Sequence, residues 1–323
     1  MSGKSITAAD MWPGVELRHL VALKAVGEEG SFSRAAARLG YTQSAISQQI
    51  AALERAVGAT LFERGQGRKA IEPTEVGEVV LRHAEAIMAR FRAAHADVAA
   101  LAVGSPPRLR VGAYQSVGAR IVPGLVAGFR RRRPEVEIEL VESTSDAEPL
   151  ALVERAELDV AFAIGPIAAG PLASVGVMRD PYVLLVPGDS DLARLEVVPL
   201  RELARTPVIG FWNCPSFHEL RGELERRGIE LKRAFATSDN GTARGLVEAG
   251  LGFALVPRLC VDPDATSVAA VPLPRDLPPR RICLVWHADR HRSEAREVFI
   301  ALARSFCSEL EQTLDRGATG SPA

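Results

Sequence analysis

Aromatic residues make up only 5% of the 323 residues, and there are just four cysteines and four methionines. The cysteines are Cys214, Cys260, Cys283 and Cys307, too widely spaced for a Cys-x-x-Cys metal or redox pair. In a reducing compartment they read as ordinary thiols. The alternative is a thiol switch, and Cys214 suits it best because it lies in the loop Asn213-Cys214-Pro215-Ser216. No run of about 18 apolar residues occurs, so no membrane span and no membrane partner is expected. Met1 to Trp12 lack a charged-then-apolar leader, which gives the expectation of a cytoplasmic protein with a frayed N-terminal extension over 1–14. Gly-x-Ser-x-Gly, P-loop and Gly-x-Gly-x-x-Gly patterns are missing, so hydrolase, nucleotidase and dehydrogenase chemistry find no support. The expectation is therefore no enzyme, no catalytic residues and no cofactor. His287 and His291 flank Asp289 but have no third ligand nearby, so no metal is expected either. An excess of charge is also missing: the net charge is −1 and the pI about 6.6.

What is present begins with Ser33-Arg34-Ala35-Ala36-Ala37-Arg38-Leu39-Gly40-Tyr41-Thr42-Gln43-Ser44-Ala45-Ile46-Ser47-Gln48. Ser33 serves as a helix N-cap, and strong helix formers follow it. Gly40 suits a left-handed helix end, and Thr42 caps a second helix. In that second helix Ile46, Ile50, Leu53 and Val57 line one face. Gln43, Ser44, Ser47, Gln48, Ala51 and Arg55 fall off it. Short uncharged polar groups hydrogen-bond base edges, and Ala51 suits a thymine methyl. This is the helix-turn-helix pattern, whose second helix enters the DNA major groove. Leu17, Leu20, Leu23 and Val26 supply a supporting helix upstream. Downstream, Leu61-Phe62 anchors a Gly65/Gly67 hairpin tip that carries Arg64, Arg68 and Lys69, a wing for phosphates or the minor groove. From Ser33 to Lys69 the net charge is +4, a local patch on a near-neutral chain.

The pieces Leu17-Arg18-His19-Leu20, Gly30-Ser31-Phe32-Ser33-Arg34-Ala35-Ala36, Thr42-Gln43-Ser44-Ala45-Ile46-Ser47, Leu53-Glu54, Leu61-Phe62-Glu63-Arg64 and Thr74-Glu75-Val76-Gly77 resemble the winged helix-turn-helix of LysR-type transcriptional regulators in order and spacing. Pro73 departs from the Leu that often precedes the Thr. The DNA-binding domain is placed at 15–73. Gln43, Ser44, Ser47 and Gln48 are expected to read bases, with Ser33, Thr42 and Arg55 beside them. Arg34, Arg64, Arg68 and Lys69 are expected to hold phosphates.

A linker helix is expected over 74–103. Val76, Val80, Ala84, Ile87, Phe91, Ala94, Val98 and Leu101 recur at spacings of three and four, a near-heptad seam that calls for a second copy of the chain. Gly104-Ser105-Pro106-Pro107 breaks it. Beyond Arg108, strands and helices alternate, which predicts an α/β domain with a parallel sheet over 108–312 and a loose tail over 313–323. Leu158-Asp159-Val160-Ala161 and Val247-Glu248-Ala249-Gly250-Leu251-Gly252 resemble the family's effector-binding domain, similar to bilobed periplasmic solute-binding proteins. The resemblance implies one lobe at about 108–165 and 270–312 and another at about 166–269. It also implies a dimer through the linker helix, a tetramer, an interrupted palindromic DNA site, a small-molecule effector and RNA polymerase as a partner. Ligands in such sheets sit beyond the carboxyl ends of strands. That singles out Gln115, Ser116, Val117, Ser143, Thr144, Phe162, Ile164, Asn213, Ser216, Asp239 and Asn240. Each Ser, Thr or Asn here also makes sense as a plain helix cap. With no Arg or Lys in these loops and Asp239 present, a monoacid or a partly apolar aromatic is favoured over a dianion. Arg130 to Arg133 read as a solvated helix end rather than a nucleic-acid patch. A transport-type binding protein and an α/β enzyme are the competing classes; the wing argues against the first and the missing nucleophile–base set against the second.

Overall fold

The computed structural model describes residues 12–63, 71–101, 107–143, 148–168 and 170–317. The chain divides into two compact units, Met1–Ala96 and Asp97–Ala323.

The first unit is helical. It contains α1 (Leu17–Glu29), α2 (Phe32–Leu39), α3 (Gln43–Val57), a two-stranded antiparallel ribbon of β1 (Phe62–Glu63) and β2 (Glu72–Pro73), and the start of α4 (Glu75–Leu101). The α2–α3 turn follows the sequence closely. Gly40 adopts φ 72° at the end of α2, a conformation that costs a residue with a Cβ but not glycine. Thr42 then caps α3 by accepting the Ala45 N–H at 3.2 Å. At the start of α2 the expected cap is corrected: Ser31, not Ser33, is the N-cap, and it accepts the Arg34 N–H. Phe32 is the first helical residue, which leaves Ser33 on the surface. The core gathers Leu20, Leu23 and Val26 from α1, Ala35 and Ala36 from α2, Ile46, Ile50 and Leu53 from α3, and Leu61 and Phe62. The small alanines let α2 sit close to its neighbours.

Glu54 and Thr74 fix the ribbon. The Leu61 N–H donates to Glu54 Oε1 at 2.8 Å, and Thr74 Oγ1 donates to the Thr60 carbonyl at 2.8 Å while accepting the Gly77 N–H at 3.0 Å. Gly77 passes so near Leu61 that a Cβ there would stand 2.0 Å from the Leu61 carbonyl oxygen. Gly77→Ala is therefore expected to push α4 off the ribbon and destabilise the first unit by roughly 1–3 kcal/mol, the usual range for overpacking. Thermal unfolding followed by circular dichroism checks this; an unshifted midpoint would show that the contact relaxes freely.

The expected seam on α4 divides. Val80 and Ala84, with Met88, face inward and join the core of the first unit. Val76, Ile87, Phe91 and Val98 are 40%, 50%, 61% and 70% exposed, and Ala94 is exposed with them. At 100° per residue these are neighbouring strips, so one broad apolar face serves two surfaces.

The second unit contains two five-stranded sheets, ordered β4-β3-β5-β12-β6 and β11-β7-β10-β8-β9. The first uses β3 (Arg108–Tyr114), β4 (Glu137–Ser143), β5 (Val160–Gly165), β6 (Leu172–Asp180) and β12 (Arg280–His287). The second uses β7 (Tyr182–Pro187), β8 (Pro207–Gly210), β9 (Lys232–Ala236), β10 (Phe253–Pro257) and β11 (Val268–Pro272). The helices are α5 (Gln115–Arg120), α6 (Val122–Arg132), α7 (Glu148–Glu154), α8 (Leu200–Arg205), α9 (Pro215–Arg226), α10 (Asn240–Glu248) and α11 (Glu294–Gly317). Phe129 of α6 and Phe299 of α11 meet edge-on over the first sheet, at 5.7 Å between ring centroids.

Two expectations are corrected here. The sheets are mixed rather than parallel: β12 runs antiparallel to both β5 and β6, and β7 runs antiparallel to β10 and β11. The lobe boundaries also move. The chain leaves the first sheet after Asp180, not near Gly165, and re-enters it at Arg280, not near Ala270. The reason is β6, whose Leu172-Ala173-Ser174-Val175-Gly176 lacks clean alternation and owes its strand to pairing with β12. Arg130, Arg131 and Arg132 close the last turn of α6 and are exposed, and Arg133 pairs with Glu294 at 3.0 Å. His287 is buried, and its Nδ1 accepts the Asp289 N–H.

Candidate DNA-binding and effector-binding sites

The outer face of α3 carries the first site. Thr42, Gln43, Ser44, Gln48 and Arg55 are exposed, and Ser47 is half-buried. Ser33 Oγ donates to Gln43 Oε1 at 2.9 Å, so α2 orients the first glutamine of α3. Thr42 and Ser44 hydroxyls lie 3.0 Å apart. Arg55 turns back, its Nε donating to the Ala51 carbonyl at 3.2 Å. Arg34 bonds the Glu29 carbonyl and pairs with the Glu29 carboxylate at 3.6 Å. Arg38 pairs with Glu28 at 2.7 Å and Glu29 at 3.3 Å. These two glutamates lie just upstream of the basic stretch, so they offset two of its six cations. Such exposed pairs contribute little stability and exchange readily for a phosphate. Arg64, Arg68 and Lys69 lie outside the described residues.

The second unit holds a cavity of about 1000 Å³. Gln115, Ser116, Ser143, Ile164, Asn213, Ser216, Asp239 and Asn240 all line it. Thr144 lies outside the described residues. Val117 and Phe162 do not line the cavity. Both are fully buried in the core of the first sheet, Val117 on the inner side of α5 and Phe162 two residues deeper along β5 than Ile164.

Loops from opposite ends of the sequence build the walls. Gln115, at the start of α5, donates from Nε2 to Asp239 Oδ2 at 2.7 Å and accepts the Asn240 N–H on Oε1 at 3.1 Å. One side chain thus ties the edge of the first sheet to the N-terminus of α10. Asp239 also caps α10 through the Thr242 N–H at 2.6 Å. Those bonds, first Thr242 and then Gln115, hold its carboxyl below the usual range. On another wall Ser216 Oγ lies 3.0 Å from the Tyr182 hydroxyl and 3.2 Å from Cys214 Sγ. Phe211 and Trp212 add apolar surface, with Arg221 and Arg233 stacked 5.6 Å and 5.7 Å from the Trp212 ring.

Sequence reasoning missed Arg280. It comes from the first position of β12, 164 residues after Ser116, where no local pattern marks it. Its Nη2 donates to Asp180 Oδ2 at 2.6 Å and to Ser116 Oγ at 2.9 Å, and its Nε donates to Asp180 Oδ2 at 3.1 Å. Asp180 also accepts the Leu259 N–H on Oδ1 at 3.0 Å. The guanidinium sits 5.3 Å from the Tyr114 ring. Burial pushes the Asp180 carboxyl up, and Arg280 with the Leu259 N–H pulls it back. Cys260, which also lines the cavity, is pushed up to about 12 by burial, so its thiol is protonated at neutral pH.

Comparison with known proteins decides the family. Residues 103–308 match the LysR substrate binding domain, and residues 17–78 match the bacterial regulatory helix-turn-helix protein, lysR family. The chain belongs to the LysR family of DNA-binding transcriptional regulators. It is 33% identical over 285 residues to the HTH-type transcriptional regulator IlvR of Caulobacter vibrioides, covering 85% of this chain and 93% of the relative. It is 30% identical over 305 residues to a probable hydrogen peroxide-inducible genes activator of Mycobacterium avium, covering 91% and 94%. A cysteine mutant of OxyR from Corynebacterium glutamicum superposes with TM-score 0.57 at 25% identity, covering 92% of this chain and 94% of that one. This family consists of transcriptional regulators rather than enzymes. Among the described residues no helix is long and apolar enough to cross a membrane.

Proposed function

We propose that this LysR-family regulator reads promoter DNA through Gln43, Ser44, Ser47 and Gln48, and that a small molecule in the second-unit cavity sets its activity. The carrying observation is convergence. Ser116 at the start of α5, Ser216 at the start of α9 and Asn240 at the start of α10 all line one cavity beside a buried guanidinium. Hydroxyls and helix N-terminal N–H groups hold a carboxylate well, and Phe211 and Trp212 suit its apolar portion. Cys214 lines the same wall, so a ligand seated there also covers that thiol.

The exposed strip of Val76, Ile87, Phe91 and Val98 supports a dimer paired along α4, which matches a two-fold, interrupted palindromic site. Arg34, with the wing residues Arg64, Arg68 and Lys69, supplies phosphate contacts in this reading.

The test is binding of the purified protein to DNA upstream of its own gene, across a salt series and against random DNA. Selective binding with a steep salt dependence is expected. With an effector found by screening on that assay, Ser116→Ala is expected to raise the half-maximal effector concentration roughly tenfold, as for loss of a hydrogen bond to a charged group. An unaltered dose-response would remove Ser116 from the effector site.

A further inference from the structure

The charges lining the cavity point to more than a monoacid. Among the described lining residues the charged side chains are Glu142, Glu219, Asp239 and Arg280. The one cation is already compensated, since Arg280 is buried against Asp180, which is 0% exposed. The cavity therefore carries an excess of negative charge, which opposes a dianion. Yet one end of it is built for an acceptor. Arg280 is only 4% exposed, and its bonds to Asp180 and Ser116 run from Nε and Nη2, leaving Nη1 with no hydrogen bond among the described residues. Ser116 beside it is 3% exposed and already orients its oxygen toward Arg280.

Glu142 and Glu219 are the opposite case. Neither makes an ion pair or hydrogen bond among the described residues, and both are exposed. Glu142 leans on α5, its Oε1 lying 2.7 Å from where a Cβ on Gly118 would be, two residues past Ser116. Glu219 lies on the second turn of α9, three residues after Ser216. Asp239 is partly occupied by Gln115 and Thr242. Two carboxylates with no partner among the described residues thus border the pocket that offers, on the same terms, a free guanidinium N–H and two serine hydroxyls.

We infer that the effector is a zwitterion: a small α-amino acid or a close analogue, its carboxylate on Arg280 Nη1 and Ser116, its ammonium on Glu142 or Glu219. Phe211, Trp212 and Ile164 leave room for an apolar side chain in the 1000 Å³. This rests on the reading of the cavity as the effector site.

The experiment is a calorimetric and thermal-shift panel on the full chain. The probes are the twenty common L-amino acids, the des-amino carboxylate and the decarboxylated amine of each, and succinate as a dianion. At least one amino acid is expected to bind, with its des-amino carboxylate and its amine each about tenfold weaker or more. Glu142→Gln combined with Glu219→Gln is expected to weaken that amino acid about tenfold and leave its des-amino carboxylate unchanged. Glu142→Gln and Glu219→Gln as single variants serve if the double variant does not fold, and one of the two is expected to weaken the amino acid about tenfold. Succinate or a des-amino carboxylate binding as tightly as any amino acid overturns the zwitterion while keeping the cavity as the effector site. Undiminished amino-acid binding by the variants does the same. Silence of every probe also overturns the zwitterion, and the effector reading is then decided by the screen on the DNA-binding assay.

Discussion

Gln43→Ala combined with Gln48→Ala is expected to lower affinity for the promoter site by roughly 100-fold or more, while affinity for random DNA stays within a few-fold. Each well-placed amide contact to a base edge is worth about 1–3 kcal/mol of discrimination. Both side chains are exposed on the outer face of α3, so their removal opens no hole in the Ile46–Ile50–Leu53 core. Gln43 has a second dependence, because its Oε1 accepts the Ser33 hydroxyl at 2.9 Å. Ser33→Ala should therefore reproduce part of the Gln43→Ala loss without touching DNA, by freeing the amide to turn. Arg34→Ala should behave differently. If Arg34 holds a phosphate as proposed, its loss weakens specific and random DNA alike and reduces the slope of log affinity against log salt by about one. Gel-shift titrations over a salt series separate the two patterns. Equal loss on specific and random DNA for the glutamine pair would move the reading surface away from the start of α3.

The first unit was legible because its signals are local. Gly40 and Thr42 each sit at the helix boundary their chemistry favours, and Ile46, Ile50 and Leu53 are buried as their spacing requires. The cap of α2 shows the limit: the sequence pointed to Ser33, the structure uses Ser31, and only the burial of Ala35 and Ala36 fixes the phase. The α4 seam divided in a more instructive way. Periodicity reports that a face is apolar and is silent on what covers it, so Val80 and Ala84 went to the unit's own core while Ile87 and Phe91 stayed outside. In the second unit, loops after strands gave eight of the lining residues. Strand β6 and Arg280 escaped because both depend on a partner far along the chain: β6 on β12, and Arg280 on Asp180 and Ser116. Non-local pairing of this kind leaves no periodic trace.

Asp180→Ala is expected to be the most destabilising single substitution outside the apolar core, at about 3–5 kcal/mol. The magnitude follows from what is left behind. Asp180 is fully buried and holds Arg280 through two N–H bonds, with the Leu259 N–H on its other oxygen. Its loss strands a guanidinium that is only 4% exposed, together with a buried backbone donor. An exposed pair such as Arg108–Glu137 should, by contrast, yield no more than about 1 kcal/mol on Glu137→Ala. For a unit of this size 3–5 kcal/mol corresponds to a fall of roughly 6–20 °C in Tm. The double change Asp180→Leu with Arg280→Met should recover most of that fall, because two apolar side chains of similar bulk remove both buried charges at once. The placement of the pair makes the comparison useful beyond stability. Asp180 ends the last strand before the chain leaves the first sheet, and Arg280 opens the strand by which it returns. The pair therefore clamps both crossings between the two sheets, and Arg280 presents Ser116 to the cavity from that clamp. A recovered Tm with a lost effector response in the double variant would assign the pair to ligand recognition. Recovery of both would make it a structural clamp alone, and no drop in the single variant would show that water reaches Arg280 and compensates it.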